Sequence, residues 1–77
     1  MKSLEEFVQL FAEQFEDTDP EVIAANTKYH DLDEWSSLIG LTLMAAIDES
    51  CGVAVTGDDI QHATTVEELY NKVVSLA

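Results

Sequence analysis

The sequence predicts an all-α fold, a small four-helix bundle of three long helices and one short helix. Apolar residues recur at helical spacing in three separate stretches, and Ser or Thr stands at the head of each. The valine-rich run Val53-Ala54-Val55 is too short to seed a sheet.

Leu4, Phe7, Val8, Phe11 and Phe15 fall at i, i+3, i+4, i+7 and i+11, opposite Glu5, Glu6, Gln9, Glu13 and Glu16. This is an amphipathic helix with its phenylalanines in the core. Ser3 and Glu6 fit a capping box, in which each side chain accepts from a backbone N–H at the other's position. Asp17-Thr18-Asp19-Pro20 is a turn cluster, with Asp19 as cap and Pro20 as first residue of one short helical turn through Ala25. The remainder, to Trp35, reads as a long ordered loop anchored by Tyr29, Leu32 and Trp35, because a loop of this length must pack side chains inward or be functional.

The next helix starts at Ser36 as cap and runs through Ser50 to a stop at Gly52, a residue suited to the left-handed position past a helix end. Leu38, Ile39, Leu41, Leu43, Met44 and Ile47 wrap most of its circumference. Thr42, Ala45, Asp48 and Glu49 form the polar arc, into which Leu38 and Leu41 also project. That pair is either ordinary surface leucine or the apolar part of a docking face. Thr56-Gly57-Asp58-Asp59-Ile60 reads as the capped start of a helix of one or two turns, with acids at its positive end. Thr65 and Glu68 fit another capping box and open the last helix. Val66, Leu69, Tyr70, Val73 and Val74 form its inward stripe, and Glu68 with Lys72 makes a favourable i, i+4 pair.

Seventy-seven residues, 47% hydrophobic and 25% charged, describe a single compact domain spanning residues 1–77. Folding at this size removes only about 60% of the extended chain's surface, so most of the surface stays available to partners. Sixteen Asp and Glu oppose Lys2, Lys28 and Lys72, with no Arg, for a formal charge of -13. That field repels phosphate backbones and anionic membranes, which excludes nucleic acid and membrane insertion and favours a basic partner surface. The same surplus also serves a soluble monomer. The lone Cys51 closes no intramolecular disulfide, and the acidic start Met1-Lys2-Ser3-Leu4-Glu5-Glu6 is no signal peptide, so the cytoplasm is the expected compartment. Met1 and the lack of linker-like tails favour a discrete protein.

Catalytic chemistry finds little support. Ser36, Ser37 and Cys51 are nucleophile candidates and His30 and His62 base candidates, but there is no Gly-x-Ser-x-Gly elbow and no Gly-rich phosphate loop. The histidines read as polar loop or helix-end residues. Asp17, Asp19 and Glu21 lack the Gly and the closing Glu of a calcium loop, and one cysteine with two separated histidines makes no zinc site. Cys51 lies at the negative end of its helix beside Asp48 and Glu49, where a thiol behaves as a small hydrophobe. What remains is Asp33-Glu34-Trp35-Ser36-Ser37-Leu38. With Ser36 as cap, Ser37 is the first helical residue, and a phosphodiester on its oxygen would lie at the positive end of the helix. Capping statistics alone favour two serines that only cap and solvate the turn.

The whole pattern resembles the acyl carrier protein family, including the related peptidyl carrier domains. The family's Asp-Ser-Leu signature, preceded by Trp in one branch, is similar to Trp35-Ser36-Ser37-Leu38; an apolar helix, the stretch Asp48-Glu49-Ser50-Cys51-Gly52 and Thr65-Val66 follow in the family's order. The resemblance implies that the chain is not an enzyme and that Ser37 is the attachment point of a 4'-phosphopantetheine arm, placed there from coenzyme A by a phosphopantetheinyl transferase. It further implies acyl or aminoacyl cargo held as a thioester, supplied by a loading ligase and delivered to acyltransferase or synthase enzymes. Ser36, Leu38, Leu41, Thr42, Ala45, Asp48 and Glu49 become the expected partner-binding residues, facing basic docking surfaces. Ser36 stands where the family commonly has Asp, and Ile39 and Thr42 where many fatty-acid carriers have acids, so the docking face is more apolar and points to a specialised partner set. The rival readings are a carrier-like adaptor that is never modified and a small hydrolase using Ser37 or Cys51.

Overall fold

The computed structural model describes residues 2–77 and contains four α-helices: α1 (Leu4–Ala12), α2 (Ser37–Cys51), α3 (Gly57–His62) and α4 (Val66–Leu76). The bundle of three long helices and one short helix is thus the observed architecture. Among the described residues the sole β-type pairing is an isolated antiparallel bridge between Lys28 and Thr65.

The caps follow local sequence closely. Glu6 N–H donates to Ser3 Oγ at 3.2 Å and Ser3 N–H donates to Glu6 Oε1 at 3.0 Å, and these bonds hold the Glu6 carboxyl below its usual range. Thr56 and Asp59 form the same reciprocal box at the head of α3. Gly52 ends α2 at φ 67°, the left-handed position anticipated for it. One box is corrected. Thr65 Oγ1 accepts from Glu68 N–H, but the Glu68 carboxylate takes the N–H of Thr64 at 2.7 Å. Glu68 is therefore not the partner of Lys72, whose ammonium faces Asp59 at 3.8 Å instead.

The first helix is shorter than its apolar stripe. It stops at Ala12, and Gln14 and Phe15 donate to Phe11 and Ala12 carbonyls in a tightening turn. The next N–H groups, of Glu16 and Asp17, turn to the Glu34 carboxylate, which ends helical propagation. Phe15 still reaches the core from that turn. Asp19 caps a 3₁₀ turn over Pro20–Val22 as expected, but the turn ends before Ala25 because Ala24 N–H donates to Thr27 Oγ1. A second 3₁₀ turn, Tyr29–Asp31, carries Tyr29 inward.

The core joins Phe7, Phe11 and Phe15 to Tyr29, Leu43, Ile47, Ile60, Val66, Leu69 and Val73. Phe11 meets Tyr29 edge-on at 5.1 Å, and Tyr29 meets Trp35 at 4.8 Å, geometry that suits the ring quadrupoles. Val53 and Val55 enter it from the extended link between α2 and α3, leaving Ala54 outside. On α4 the stripe is narrower than anticipated. Val74 lies about 80° around the helix from Val66 at 100° per residue and is 43% exposed, while Tyr70 is half-buried and donates its hydroxyl to Lys2 O at 2.6 Å. Residues 25–28 pin the start of α4: Val66 N–H donates to Thr27 O and Glu67 N–H to Ala25 O.

Candidate functional site

Ser36 is extended, at φ -157° and ψ 171°, which aims its Oγ at the N–H of Ile39 (3.3 Å) while its carbonyl accepts from Gly40 (3.0 Å). Ser37 follows as the first helical residue and is exposed. The N–H groups of Ser37 and Leu38 precede the intrahelical ladder, and no acid occupies the first turn. An exposed hydroxyl at the positive end of a fifteen-residue helix fits a phosphodiester. The capping bond that Asp commonly supplies is supplied here by Ser36.

The loop before the site is held from two sides. The Trp35 indole packs under α2, where its Cζ2 would lie 3.8 Å from a Cβ on Gly40, and it contacts Phe15, Tyr29 and His30. The preceding Glu34 binds the neighbouring turn. Its carboxylate accepts from Thr18 Oγ1 (2.7 Å), Glu16 N–H (2.9 Å) and Asp17 N–H (3.0 Å), and the Thr18 hydroxyl with these N–H groups holds its pKa below the usual range. On the inner side, His30 Nε2–H is shared between the carbonyls of Ile60 (3.1 Å) and Ala63 (3.0 Å), and the Tyr29 hydroxyl also donates to Ile60 O. These contacts fasten α3 to the loop. A cleft of about 260 Å³ opens beside Ser37, walled by Trp35, Leu41, Met44, Ile60 and Gln61.

The outward face of α2 carries the other singled-out residues. Leu38 is 71% and Leu41 61% exposed, and Thr42, Ala45, Asp48 and Glu49 lie exposed along the same helix. The Thr42 hydroxyl donates to Leu38 O at 3.0 Å, so it is occupied within the helix. Asp48 and Glu49 sit about 17 Å along the axis from Ser37 at 1.5 Å per residue, leaving the near half of the face apolar.

The catalytic candidates are not brought together. His30 is turned to the α3 carbonyls, His62 Nδ1–H donates to Asp58 O, and Cys51 packs half-buried at the opposite end of α2 from Ser37. Sequence reasoning missed the roles of Glu34 and His30. Both reach partners 16–33 residues away, and neither carries a local spacing signal.

A helical bundle whose longest helix starts at an exposed, cap-supported serine is the arrangement expected of an acyl carrier-type protein, and the family match shows that class. The chain matches the phosphopantetheine attachment site family over residues 5–73 and belongs to it. The family attaches 4'-phosphopantetheine covalently, and its carrier domains, typically not themselves catalytic, work with transferases and synthase enzymes. Searches of curated proteins and of solved structures returned no match. Among the described residues no helix is long and apolar enough to cross a membrane.

Proposed function

We propose that this chain, as one carrier domain over residues 1–77, bears 4'-phosphopantetheine on Ser37 and delivers acyl or aminoacyl groups to partner enzymes without catalysing a reaction itself. The observation that carries this is the exposed Ser37 hydroxyl at the first position of α2, in a chain of the phosphopantetheine attachment family. Modification joins Ser37 Oγ to the β-phosphorus of coenzyme A. The pyrophosphate bond breaks, adenosine 3',5'-bisphosphate leaves, and the serine proton passes to a base on the transferase. When bound, the arm supplies a thiol that holds cargo as a thioester. Tethering then makes each encounter with an enzyme effectively intramolecular.

The chain's own residues prepare this site. Ser36 holds the first turn, so Ser37 is presented at a fixed place, and the helix dipole favours the phosphodiester. Leu38, Leu41, Thr42 and Ala45 offer apolar contact beside the arm, with Ser36 at the tip and Asp48 and Glu49 available to Lys or Arg of a partner. The partners are a phosphopantetheinyl transferase, a loading ligase and the acyltransferases or synthases of fatty-acid, polyketide, nonribosomal-peptide or related biosynthesis. A charge of -13 steers basic surfaces toward a monomeric carrier in the cytoplasm, and transient docking that permits handover needs fast release beside that steering.

The test is intact-protein mass before and after incubation with coenzyme A and a broad-specificity phosphopantetheinyl transferase, beside Ser37→Ala and Ser36→Ala. Gain of one arm, lost in Ser37→Ala and kept in Ser36→Ala, is expected. No gain with several transferases, and none in protein from its native cell, would leave the unmodified adaptor as the correct reading.

A further inference from the structure

We infer that Glu34 is a positioning residue for the modification of Ser37, holding in place the segment from which α2 starts. The inference rests on Ser37 being the attachment point. Only Trp35 separates Glu34 from the cap residue Ser36. Each of these neighbours is anchored by its side chain, the Glu34 carboxylate on residues 16–18 and the Trp35 indole beside Gly40 and Phe15. Two successive anchors fix the course of the backbone into Ser36, whose extended conformation aims Oγ at Ile39 N–H.

The first turn of α2 needs such support. It reads Ser-Leu-Ile-Gly, with no acid to complement the dipole and with a glycine, which disfavours helix relative to alanine. This turn, whose one side-chain cap is Ser36, is also the one that presents Ser37. Three donors converge on the Glu34 carboxylate, two backbone N–H groups and one hydroxyl, and this places it well as a clamp.

The test measures initial rates of arm transfer against carrier concentration for the full chain, Glu34→Ala, Glu34→Gln and Thr18→Val, with amide exchange beside it. A transferase that requires the formed turn binds only the fraction of carrier that has it, so Glu34→Ala should raise KM about fivefold with kcat within about twofold. Glu34→Gln keeps one acceptor oxygen and should recover part of the loss. Amides of Ile39 and Gly40 should exchange faster, with Val73 unchanged. A KM within about twofold of wild type, or faster exchange confined to Glu16 and Asp17, overturns the inference. Should Glu34→Ala fail to fold, Thr18→Val, which deletes one of the three bonds, decides, and an unchanged KM overturns the inference. If the wild-type chain is not modified at all, the Ser37 reading fails and this inference falls with it.

Discussion

Residues 13–35 and the outward face of α2 are the two polar-looking regions of this molecule, and they behave in opposite ways. The first ties its polar groups to backbone: Asp19, Thr27 and Glu34 accept backbone N–H groups, while Tyr29 and His30 bind carbonyls in and just after α3. The second leaves Leu38, Leu41, Ala45, Asp48 and Glu49 exposed, with Thr42 bonded only within its own helix. Composition does not separate them. The connection is a scaffold that looks like a loop, and the helix face is a free surface on the most apolar helix of the fold.

The contrast can be broken most directly at Tyr29. Removing its fully buried ring in Tyr29→Ala is expected to cost roughly 3–5 kcal/mol, the range for truncating a buried aromatic, read by urea or thermal unfolding. A cost below about 1 kcal/mol, the scale of one lost hydrogen bond, would mean the connection is ornament. At the edge of the free face, Gly52→Ala is expected to cost about 1–2 kcal/mol by backbone strain alone, since nothing lies within 4 Å of the added Cβ at φ 67°. A stability equal to wild type would sink that account.

Acid sharpens the comparison further. The folded pKa of Glu34 lies below its ordinary 4.5, because the Thr18 hydroxyl and the backbone N–H groups favour the carboxylate. Its contribution is present above pH 4.5 and is lost as pH falls through the folded value. The Tm difference between wild type and Glu34→Gln should therefore be constant above pH 4.5 and shrink below it; a difference that persists undiminished into acid would contradict the clamp. The smallest structural effect belongs to the free face. Leu38→Ala with Leu41→Ala should change stability by no more than about 0.5 kcal/mol, yet raise KM for transfer to Ser37, measured as in the modification assay.

What was legible in the sequence was local. Ser3 with Glu6, Ser36, Thr56 and Gly52 all act on residues within four positions, so spacing alone announced them. Thr65 was read correctly, but Glu68 had three claimants, and the Thr64 N–H took its carboxylate instead of the Thr65 N–H or Lys72. The start of α2 at Ser37 and the exposure of its outward arc were also visible in sequence, the first from Ser36 as cap and the second from helical spacing. Glu34 and His30 were not. A carboxylate in an acidic chain and a histidine in a loop look the same whether they face solvent or backbone groups of a distant turn.

The hydrogen bonds from Val66 and Glu67 to Thr27 and Ala25 also bear on how the chain folds. At nine and eleven residues, α1 and α4 are too short to persist alone in water, so they depend on docking for their stability. Docking the 25–28 segment on α4 requires closing a loop of about forty residues, whose entropic cost grows with the logarithm of length. Tyr70 reaches Lys2 across 68 positions in the same way. Helical content should therefore rise together with the native state, and the protein is expected to fold more slowly than bundles whose contacts are all local.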